Sequence, residues 1–179
     1  ARWGRTYESF SSDPDIAASF VAPIVEAMQD EGVASTAKHF IGDGGTLRGD
    51  DRGDTSMSLE DLVAIHGQGY VEAIDKDVMS VMSSFNSWYG EKIHGSKAIL
   101  TDLLRDDMGF EGMVVSDWNG IGEVLGCTND NCAQAINAGV DMVMAPGNWK
   151  PLYYNMLDQV ATGEISMARI NEAVERILV

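Results

Sequence analysis

A carboxylate and an indole follow a short apolar run in the stretch EGMVVSDWNG, residues 111–120. Two β-branched valines lead directly into Ser116, Asp117 and Trp118, so the run is typical of a buried strand that ends in polar residues. Buried carboxylates are rare unless they are paired or functional. Asp117 is therefore either a helix cap or salt-bridge partner at a strand end, or a group that the strand presents to a ligand.

Trp118 shifts the balance toward a ligand site. An indole at the mouth of a site offers an apolar platform for the CH face of a sugar ring. The alternative for a single tryptophan is a place in the core, and the local sequence leaves both interpretations open.

Hydrogen-bond donors collect at two other places in the chain. Lys38 and His39 end a predicted strand, and GDGGT follows shortly after them. Neighbouring strand residues point to opposite faces, so both side chains reach one ligand only where the strand gives way to a loop. Arg2 and Arg5 lie in the opening RWGRTYESF, either as partners of Glu8 and the acidic loop or as guanidinium forks for vicinal hydroxyls.

The charge of the chain narrows the class of ligand. It carries 28 Asp and Glu against 12 Lys and Arg, a formal net charge of −16. Such a chain repels nucleic acid, anionic lipid and polyphosphates, so we expect a neutral substrate and no nucleic-acid partner. Hydrophobic residues make up 45% of the chain, yet no apolar run approaches the roughly 20 residues that span a bilayer, so we expect no membrane insertion.

Neither the cysteines nor the acidic loop indicates a metal site. Cys127 and Cys132 in CTNDNC either close a loop disulfide or remain as two thiols, and no matching His or Cys pair completes a zinc site. The loop aspartates do not reproduce EF-hand spacing, so a solvated loop is the preferred interpretation; they are Asp43, Asp50, Asp51 and Asp54. His66 and His94 are interpreted as a helix-face and a loop histidine.

Strands and helices are predicted to alternate along the chain. The predicted strands are Val33–Phe40, Val78–Phe85, Gly112–Asp117 and Val140–Ala145. The predicted helices are 14–31, 58–75, 95–108, 129–139, 151–162 and 167–178.

This alternation predicts parallel βα units, either in an open doubly wound sheet or in a (β/α)8 barrel. Polar residues at the carboxyl ends of successive strands favour the barrel, and no glycine-rich phosphate turn supports the open sheet. A complete barrel takes about 250 residues. We therefore expect an α/β fold in which residues 1–179 are a fragment, about four units that form the second half of a (β/α)8 barrel.

Five motifs in order along the chain resemble the barrel domain of glycoside hydrolase family 3. They are RWGRTYESFSSDP, KHFIGDGGT, VMSSFN, HGSKAILTDLLRDDMGFEGMVVSDW and AINAGVDMVM. The chain is most similar to the β-glucosidase and exo-β-glucan glucohydrolase branch, and corresponds to the C-terminal part of the N-terminal barrel domain.

The resemblance implies a retaining β-glycosidase that needs no cofactor. Asp117 matches the catalytic nucleophile of the family. Arg5, Lys38 and His39 match residues that hydrogen-bond the sugar hydroxyls, and Trp118 matches a ring that packs against the next sugar unit. The implied reaction removes terminal non-reducing β-D-glucose from β-glucosides or β-glucan oligosaccharides through a covalent glycosyl-enzyme.

The chain departs from the family pattern at several points. The general acid/base is expected to be a glutamate of a second domain that this chain does not contain, so the fragment alone is expected to be inactive. Phe85, assigned to the substrate site, stands where some relatives have a tyrosine near the nucleophile. The loop after KHF contains no histidine, which argues against the β-N-acetylhexosaminidase branch of the family.

Two alternatives stay open at this point. One is a β-xylosidase specificity on the same fold, and the other is a catalytically silent sugar-binding barrel. Retention of Asp117 argues against the silent barrel, because binding alone does not need a carboxylate below the anomeric carbon. By family analogy we expect an extracellular or periplasmic protein, although the chain shows no signal peptide.

Overall fold

The computed structural model describes residues 3–178, in which strands and helices alternate. The strands are β1 (Thr36–Phe40), β2 (Asp54–Thr55), β3 (Ser80–Ser83), β4 (Ser87–Trp88), β5 (Glu91–Lys92) and β6 (Met113–Val115). The α-helices are α1 (Pro14–Asp30), α2 (Leu59–Leu62), α3 (Gln68–Asp75), α4 (Ala133–Ala138), α5 (Trp149–Ala161) and α6 (Met167–Leu178). Two further helical segments, Val63–Gly67 and Ala98–Asp107, have π-helical hydrogen bonding.

The main sheet is parallel and has the strand order β1-β3-β6. Thr36 aligns with Ser80, and Ser80 aligns with Met113, so the three strands run side by side in register. The predicted βα alternation is confirmed, because each strand of this sheet is followed by helical segments before the next one begins. The carboxyl ends of all three strands therefore meet along one edge.

The fourth predicted strand, Val140–Ala145, is much shorter than expected. The chain runs beside β6 there and forms one parallel bridge, between Val115 and Met142. Met142 N donates to Val114 O, and Ser116 N donates to Met142 O. The segment thus occupies the place of a fourth strand without extending into a ladder.

The helix before Gly139 starts later than the sequence predicted, whereas α1 starts where it was predicted to start. The predicted helix 129–139 begins only at Ala133, because a disulfide between Cys127 and Cys132 closes the preceding loop. This settles the two interpretations that the sequence left open for the cysteines. Helix α1 starts as predicted, since Asp13 caps it by accepting from the N–H groups of Asp15 and Ile16.

A small second sheet, which the sequence did not indicate, covers the carboxyl edge of the main one. Strand β2 pairs with β4 in parallel, and β4 pairs with β5 in a hairpin. The two hairpin loop residues, Tyr89 and Gly90, both have positive φ, which suits the twist of a tight two-residue connection. Asn86, fully buried, braces the sheet by donating to Ile41 O and Thr55 Oγ1.

The core lies between the main sheet and the helices that follow its strands. Its largest fully buried apolar side chains are Phe40, Ile41, Leu62, Ile93, Ile99, Leu100, Leu104, Ile121 and Ile165. Phe40 packs edge-on against Tyr70 with ring centroids 4.8 Å apart. Close packing of this kind holds the strand ends at fixed positions. Within residues 3–178, no helix is both long enough and apolar enough to cross a bilayer.

Candidate active site

The ends of β1, β3 and β6 bring three polar groups to one place. His39 lies at the end of β1, Ser84 directly after β3, and Asp117 two residues after β6. All three are at least nine-tenths buried. Parallel strands deliver their last residues to the same edge of a sheet, as the sequence analysis expected for His39 and Asp117.

The two carboxylate oxygens of Asp117 have different surroundings. Oδ1 accepts a 2.6 Å hydrogen bond from the backbone N–H of Trp118. Oδ2 is buried and accepts no hydrogen bond from any residue that the structure describes. The Nε2 atom of His39 lies 3.5 Å from this oxygen. Leaving a buried carboxylate oxygen without a donor is unfavourable, so this oxygen stands out as a functional candidate.

His39 bridges a carboxylate and a guanidinium. Its Nδ1 lies 3.3 Å from Asp43 Oδ2, and its Nε2 lies 3.4 Å from Arg5 Nη2. Because a guanidinium can only donate, His39 Nε2 is the acceptor in the contact with Arg5, while Nδ1 faces the Asp43 carboxylate. Ser84 Oγ donates to the second oxygen of Asp43. His39 is thereby held from both sides.

Asp43 corrects the interpretation of the acidic loop as solvated. Gly42, with φ at 98°, turns the chain back after β1, and a short 3-10 turn over Asp43–Gly45 brings the carboxylate under His39. Of the four loop aspartates, Asp50 and Asp51 are exposed as expected. Spacing along the chain does not reveal which aspartate faces inward, because the turn at Gly42 decides it.

Arg5 is paired with Glu8, one of the two roles that the sequence allowed for it. Its Nε and Nη2 donate to the two carboxylate oxygens of Glu8 at 2.6 and 2.8 Å. This bidentate pairing raises the pKa of Arg5 and, with smaller contributions from His39 and Lys38, lowers the pKa of the Glu8 carboxyl. Arg5 therefore links Glu8 to His39.

Lys38 is not brought into these contacts. Lys38 precedes His39 on β1 and is solvent-exposed, as the alternation of strand faces predicts. Arg2 lies outside the described residues. Of the predicted sugar-binding cations that the structure describes, Arg5 and not Lys38 lies against the His39 ring nitrogen Nε2.

The two aromatic residues assigned to the site have opposite environments. Trp118 is 59% exposed beside the buried Asp117, so its ring is available to a ligand. Phe85 is buried, with the Arg52 guanidinium 4.0 Å above its ring centroid. Arg52 also pairs with Glu123 at 2.8 Å. Phe85 therefore contributes apolar packing to the site, and it lacks the hydroxyl that a tyrosine would offer there.

His94 is a site residue that the sequence interpretation missed. It is fully buried, whereas the sequence suggested an ordinary loop histidine. Its Nε2 accepts a 3.0 Å hydrogen bond from the backbone N–H of Asp117. Burial lowers the pKa of His94 to about 3, so the ring is neutral at pH 7. No local pattern in the sequence indicates this contact.

Among residues 3–178, no group of three or more His, Cys, Asp or Glu side chains is arranged to hold a metal ion. The cluster consists of the buried Asp117 carboxylate, with His39 and Arg5 nearby, and the exposed indole of Trp118.

The whole chain, residues 1–179, matches the model of the glycosyl hydrolase family 3 N terminal domain. The chain belongs to glycosyl hydrolase family 3. An exo-1,3/1,4-beta-glucanase from a Pseudoalteromonas species is 49% identical, with a TM-score of 0.96 over 98% of this chain and 23% of that one.

Other relatives of this chain are named as beta-glucosidases or as a beta-xylosidase. A beta-glucosidase from Rhizobium radiobacter is 32% identical over 98% of this chain, and a beta-xylosidase from Formosa agariphila is 32% identical over 99%. The chain spans 20% and 27% of the length of these two proteins. The α/β fold with a parallel sheet is thereby established as that of a family 3 N-terminal domain.

Proposed function

We propose that this chain carries the nucleophile of a retaining β-glycosidase that removes terminal, non-reducing β-D-glucose from β-glucosides or β-glucan oligosaccharides. Asp117 is the nucleophile, and Arg5, Lys38, His39, Phe85 and Trp118 form the surrounding sugar site. Membership of family 3 and the activities named for its relatives support this assignment.

The observation that carries the proposal is the environment of Asp117 Oδ2. One oxygen of the carboxylate is anchored by the Trp118 N–H, while the other has no donor among the described residues. Buried polar atoms usually have a hydrogen-bond partner, so an unpartnered carboxylate oxygen at the strand ends is a candidate for contact with a ligand. This oxygen is the one that we assign to attack the sugar.

In the proposed reaction, Oδ2 attacks the anomeric carbon while the glycosidic bond breaks through an oxocarbenium-like transition state. A general acid protonates the departing oxygen, and the sugar remains bound to Asp117 as an ester. Water then attacks the anomeric carbon and gives a proton to the residue that served as the general acid, which now acts as a base. The bond to Asp117 breaks, and the sugar is released with its configuration retained. We assign the acid/base role to a glutamate of a second domain of the full-length protein.

Access to Oδ2 requires a small rearrangement. The Asp117 side chain retains 12% exposure, but Oδ2 itself is screened from solvent. His39 lies beside it and is tied to Arg5. We infer that a sugar hydroxyl takes over the Arg5 and His39 hydrogen bonds and opens the approach to Oδ2 as it binds.

The proposed enzyme needs the rest of its barrel and its second domain. We infer that the main sheet is the second half of a (β/α)8 barrel. Strand β1 is an edge strand of this sheet. Helix α1 supports this view, because it exposes an apolar stripe at four-residue spacing that further helices would cover, formed by Ile16, Phe20, Ile24 and Met28. One relative is a periplasmic beta-glucosidase from Salmonella typhimurium, which supports an extracellular or periplasmic location.

A β-xylosidase is the second candidate. The Formosa agariphila relative, named a beta-xylosidase, is as similar to this chain as the beta-glucosidase from Rhizobium radiobacter. A xyloside lacks only the hydroxymethyl group of a glucoside, and the Asp117 chemistry is common to both.

The test is to follow hydrolysis of 4-nitrophenyl β-D-glucoside and β-D-xyloside by the full-length protein with proton NMR. Retention requires that the β-anomer of the free sugar appears first and then mutarotates. The ratio of kcat/KM for the two substrates identifies the preferred sugar. An α-anomer as the first product would overturn the proposed mechanism.

A further inference from the structure

The backbone of the proposed nucleophile is held by a buried histidine. His94 lies in a 3-10 turn, Ile93–Gly95, that leads into the helical segment after β5. Its Nε2 accepts the hydrogen bond of the Asp117 peptide N–H at 3.0 Å. It joins the nucleophile loop to a part of the chain 23 residues away.

The fit around the imidazole is tight. A Cβ placed on Gly120 would lie 2.1 Å from His94 Nε2, so only a glycine at position 120 leaves room for the ring. Phe85 packs on the ring with centroids 5.8 Å apart. The His94 ring is packed between Phe85 and the turn that follows Asp117. Rotation of the ring would make it clash with Phe85 or with Gly120.

The protonation state suits the role of acceptor. A protonated imidazole has only donors and would face the Asp117 N–H with a hydrogen of its own. Burial keeps the ring neutral, because it lowers the pKa of His94 to about 3. The neutral tautomer with its proton on Nδ1 leaves Nε2 free to accept.

The turn that follows Asp117 links the orientation of the Asp117 peptide to the position of its carboxylate. Gly120 N donates to Asp117 O at 2.9 Å, and Asn119 adopts a left-handed conformation with φ at 56°, so residues 117–120 form a closed turn. Within that turn the Trp118 N–H holds Oδ1. The direction of Oδ2 therefore depends on the orientation of the Asp117 peptide, which His94 sets.

We propose that His94 is a positioning residue that fixes the Asp117 peptide and thereby aims Oδ2 at the anomeric carbon. The proposal rests on the proposed glycosidase function for its catalytic consequence. His94 does not touch the substrate, and its effect passes through the Asp117 backbone. Misplacing a reacting group by about 1 Å lowers catalysis by about 100-fold, which sets the size of the expected effect.

The test compares His94→Leu, which removes the acceptor, with His94→Gln, whose side-chain oxygen reaches the same place as Nε2. The matched control is Ile93→Val, which trims the buried neighbour in the same turn without touching Asp117. We expect His94→Leu to lower kcat on 4-nitrophenyl β-D-glucoside by about 100-fold with KM within a few-fold. His94→Gln should recover most of this loss, and Ile93→Val should stay close to the wild type.

A folded His94→Leu variant whose kcat stays within threefold of the wild type would overturn the proposal. Equal losses in His94→Gln and His94→Leu would also overturn it, since the acceptor would then be irrelevant. Nitrogen-15 NMR of the wild type gives a second measurement that needs no variant. It should show a neutral ring with Nε2 unprotonated at pH 7, and a protonated Nε2 would contradict the assignment.

The NMR measurement also separates this proposal from the proposed function. If the wild-type protein hydrolyses no β-glycoside, the glycosidase assignment fails. The Asp117–His94 bond is then judged by the Nε2 signal and by the shift of the Asp117 amide proton in His94→Leu, which removes the acceptor. An amide proton that moves in His94→Leu but not in Ile93→Val supports the positioning contact, and one that moves in neither overturns it.

Discussion

His39 Nε2 lies 3.5 Å from Asp117 Oδ2, although His39 is on β1 and Asp117 follows β6, and β3 lies between these two strands in the sheet. Their proximity is a direct result of the parallel arrangement, since both residues lie at carboxyl ends. The contact also explains why Asp43 matters, because Asp43 holds the other nitrogen of His39. The site is therefore a chain of contacts from Asp43 through His39 to Asp117.

The first prediction concerns this chain of contacts. Asp43→Ala should lower kcat/KM by about 10- to 100-fold, the size seen when a group that orients a site residue is removed. The reason is that His39 loses its Nδ1 partner and Ser84 loses its acceptor. Steady-state kinetics on the full-length protein measure the effect, with the exposed Asp50→Ala in the same loop as the control.

A double-mutant cycle sharpens that test. If Asp43 acts through His39, then Asp43→Ala combined with His39→Ala should lose less than the product of the two single effects. Fully independent effects would contradict the proposed link between the two residues.

The second prediction concerns the exposed indole of Trp118. Trp118→Ala should raise KM for cellobiose or laminaribiose about fivefold, because a stacked ring contributes about 1 kcal/mol to binding. Methyl β-D-glucoside, which has no second sugar, should be affected much less. Tyr154→Ala on the surface of α5 is the matched control, and equal effects on both substrates would rule out a role in holding the second sugar.

The third prediction concerns acid stability. The pKa of His94 is lowered to about 3 in the folded protein, against about 6.5 in an unfolded chain. Between these values the unfolded state binds a proton that the folded state does not. The stabilising contribution of the neutral ring is therefore complete above about pH 6.5 and is lost as the pH falls toward about 3.

Replacing His94 by glutamine removes this dependence. Urea unfolding between about pH 4 and 6 should give a free energy of unfolding that falls less steeply with decreasing pH in His94→Gln, by up to about 1.4 kcal/mol per pH unit. Ile93→Val, which does not titrate, should keep the wild-type slope. Parallel slopes for wild type and His94→Gln would show that His94 is not buried in its neutral form.

The fourth prediction concerns a buried ion cluster at the opposite end of the sheet from the site. Asp141, whose side chain is fully buried, accepts from Arg105 and Arg169 at 2.6 Å each and lies 3.3 Å from Arg176. It also accepts from the Val114 N–H at 2.9 Å, which ties α6 and the segment Ala98–Asp107 to β6.

Removing the charge of Asp141 leaves three arginines without their shared partner. Asp141→Asn should therefore lower the free energy of unfolding by about 3–5 kcal/mol. Thermal or urea unfolding measures the loss, and Asp107→Asn at the exposed end of the neighbouring helical segment is the control. A loss below about 1 kcal/mol would mean that the arginines are satisfied without Asp141.

Much of the fold could be predicted because its signals are local. The β-branched run before Asp117 and the cap at Asp13 each specify one element from a few adjacent residues. The position of Asp117 at a strand end followed from the same run. Parallel topology then places His39 near it without any knowledge of side-chain contacts.

The remainder depends on contacts between distant residues. The inward turn of Asp43 follows from the left-handed Gly42, and the role of His94 follows from packing against Gly120. Neither leaves a periodic pattern in the sequence. The small sheet was missed because its strands are two residues long, too short for alternation to be recognised.

The most direct test of the central claim is covalent trapping of Asp117 in the full-length protein. A 2-deoxy-2-fluoro β-D-glucosyl fluoride reacts with a retaining β-glucosidase to give a long-lived ester. Peptide mapping by mass spectrometry should then locate the added sugar on Asp117, and Asp117→Asn should neither carry the label nor retain more than about 1 part in 10⁴ of the activity. A label on another residue, or unlabelled enzyme that still hydrolyses β-glucosides, would contradict the assignment of Asp117 as the nucleophile.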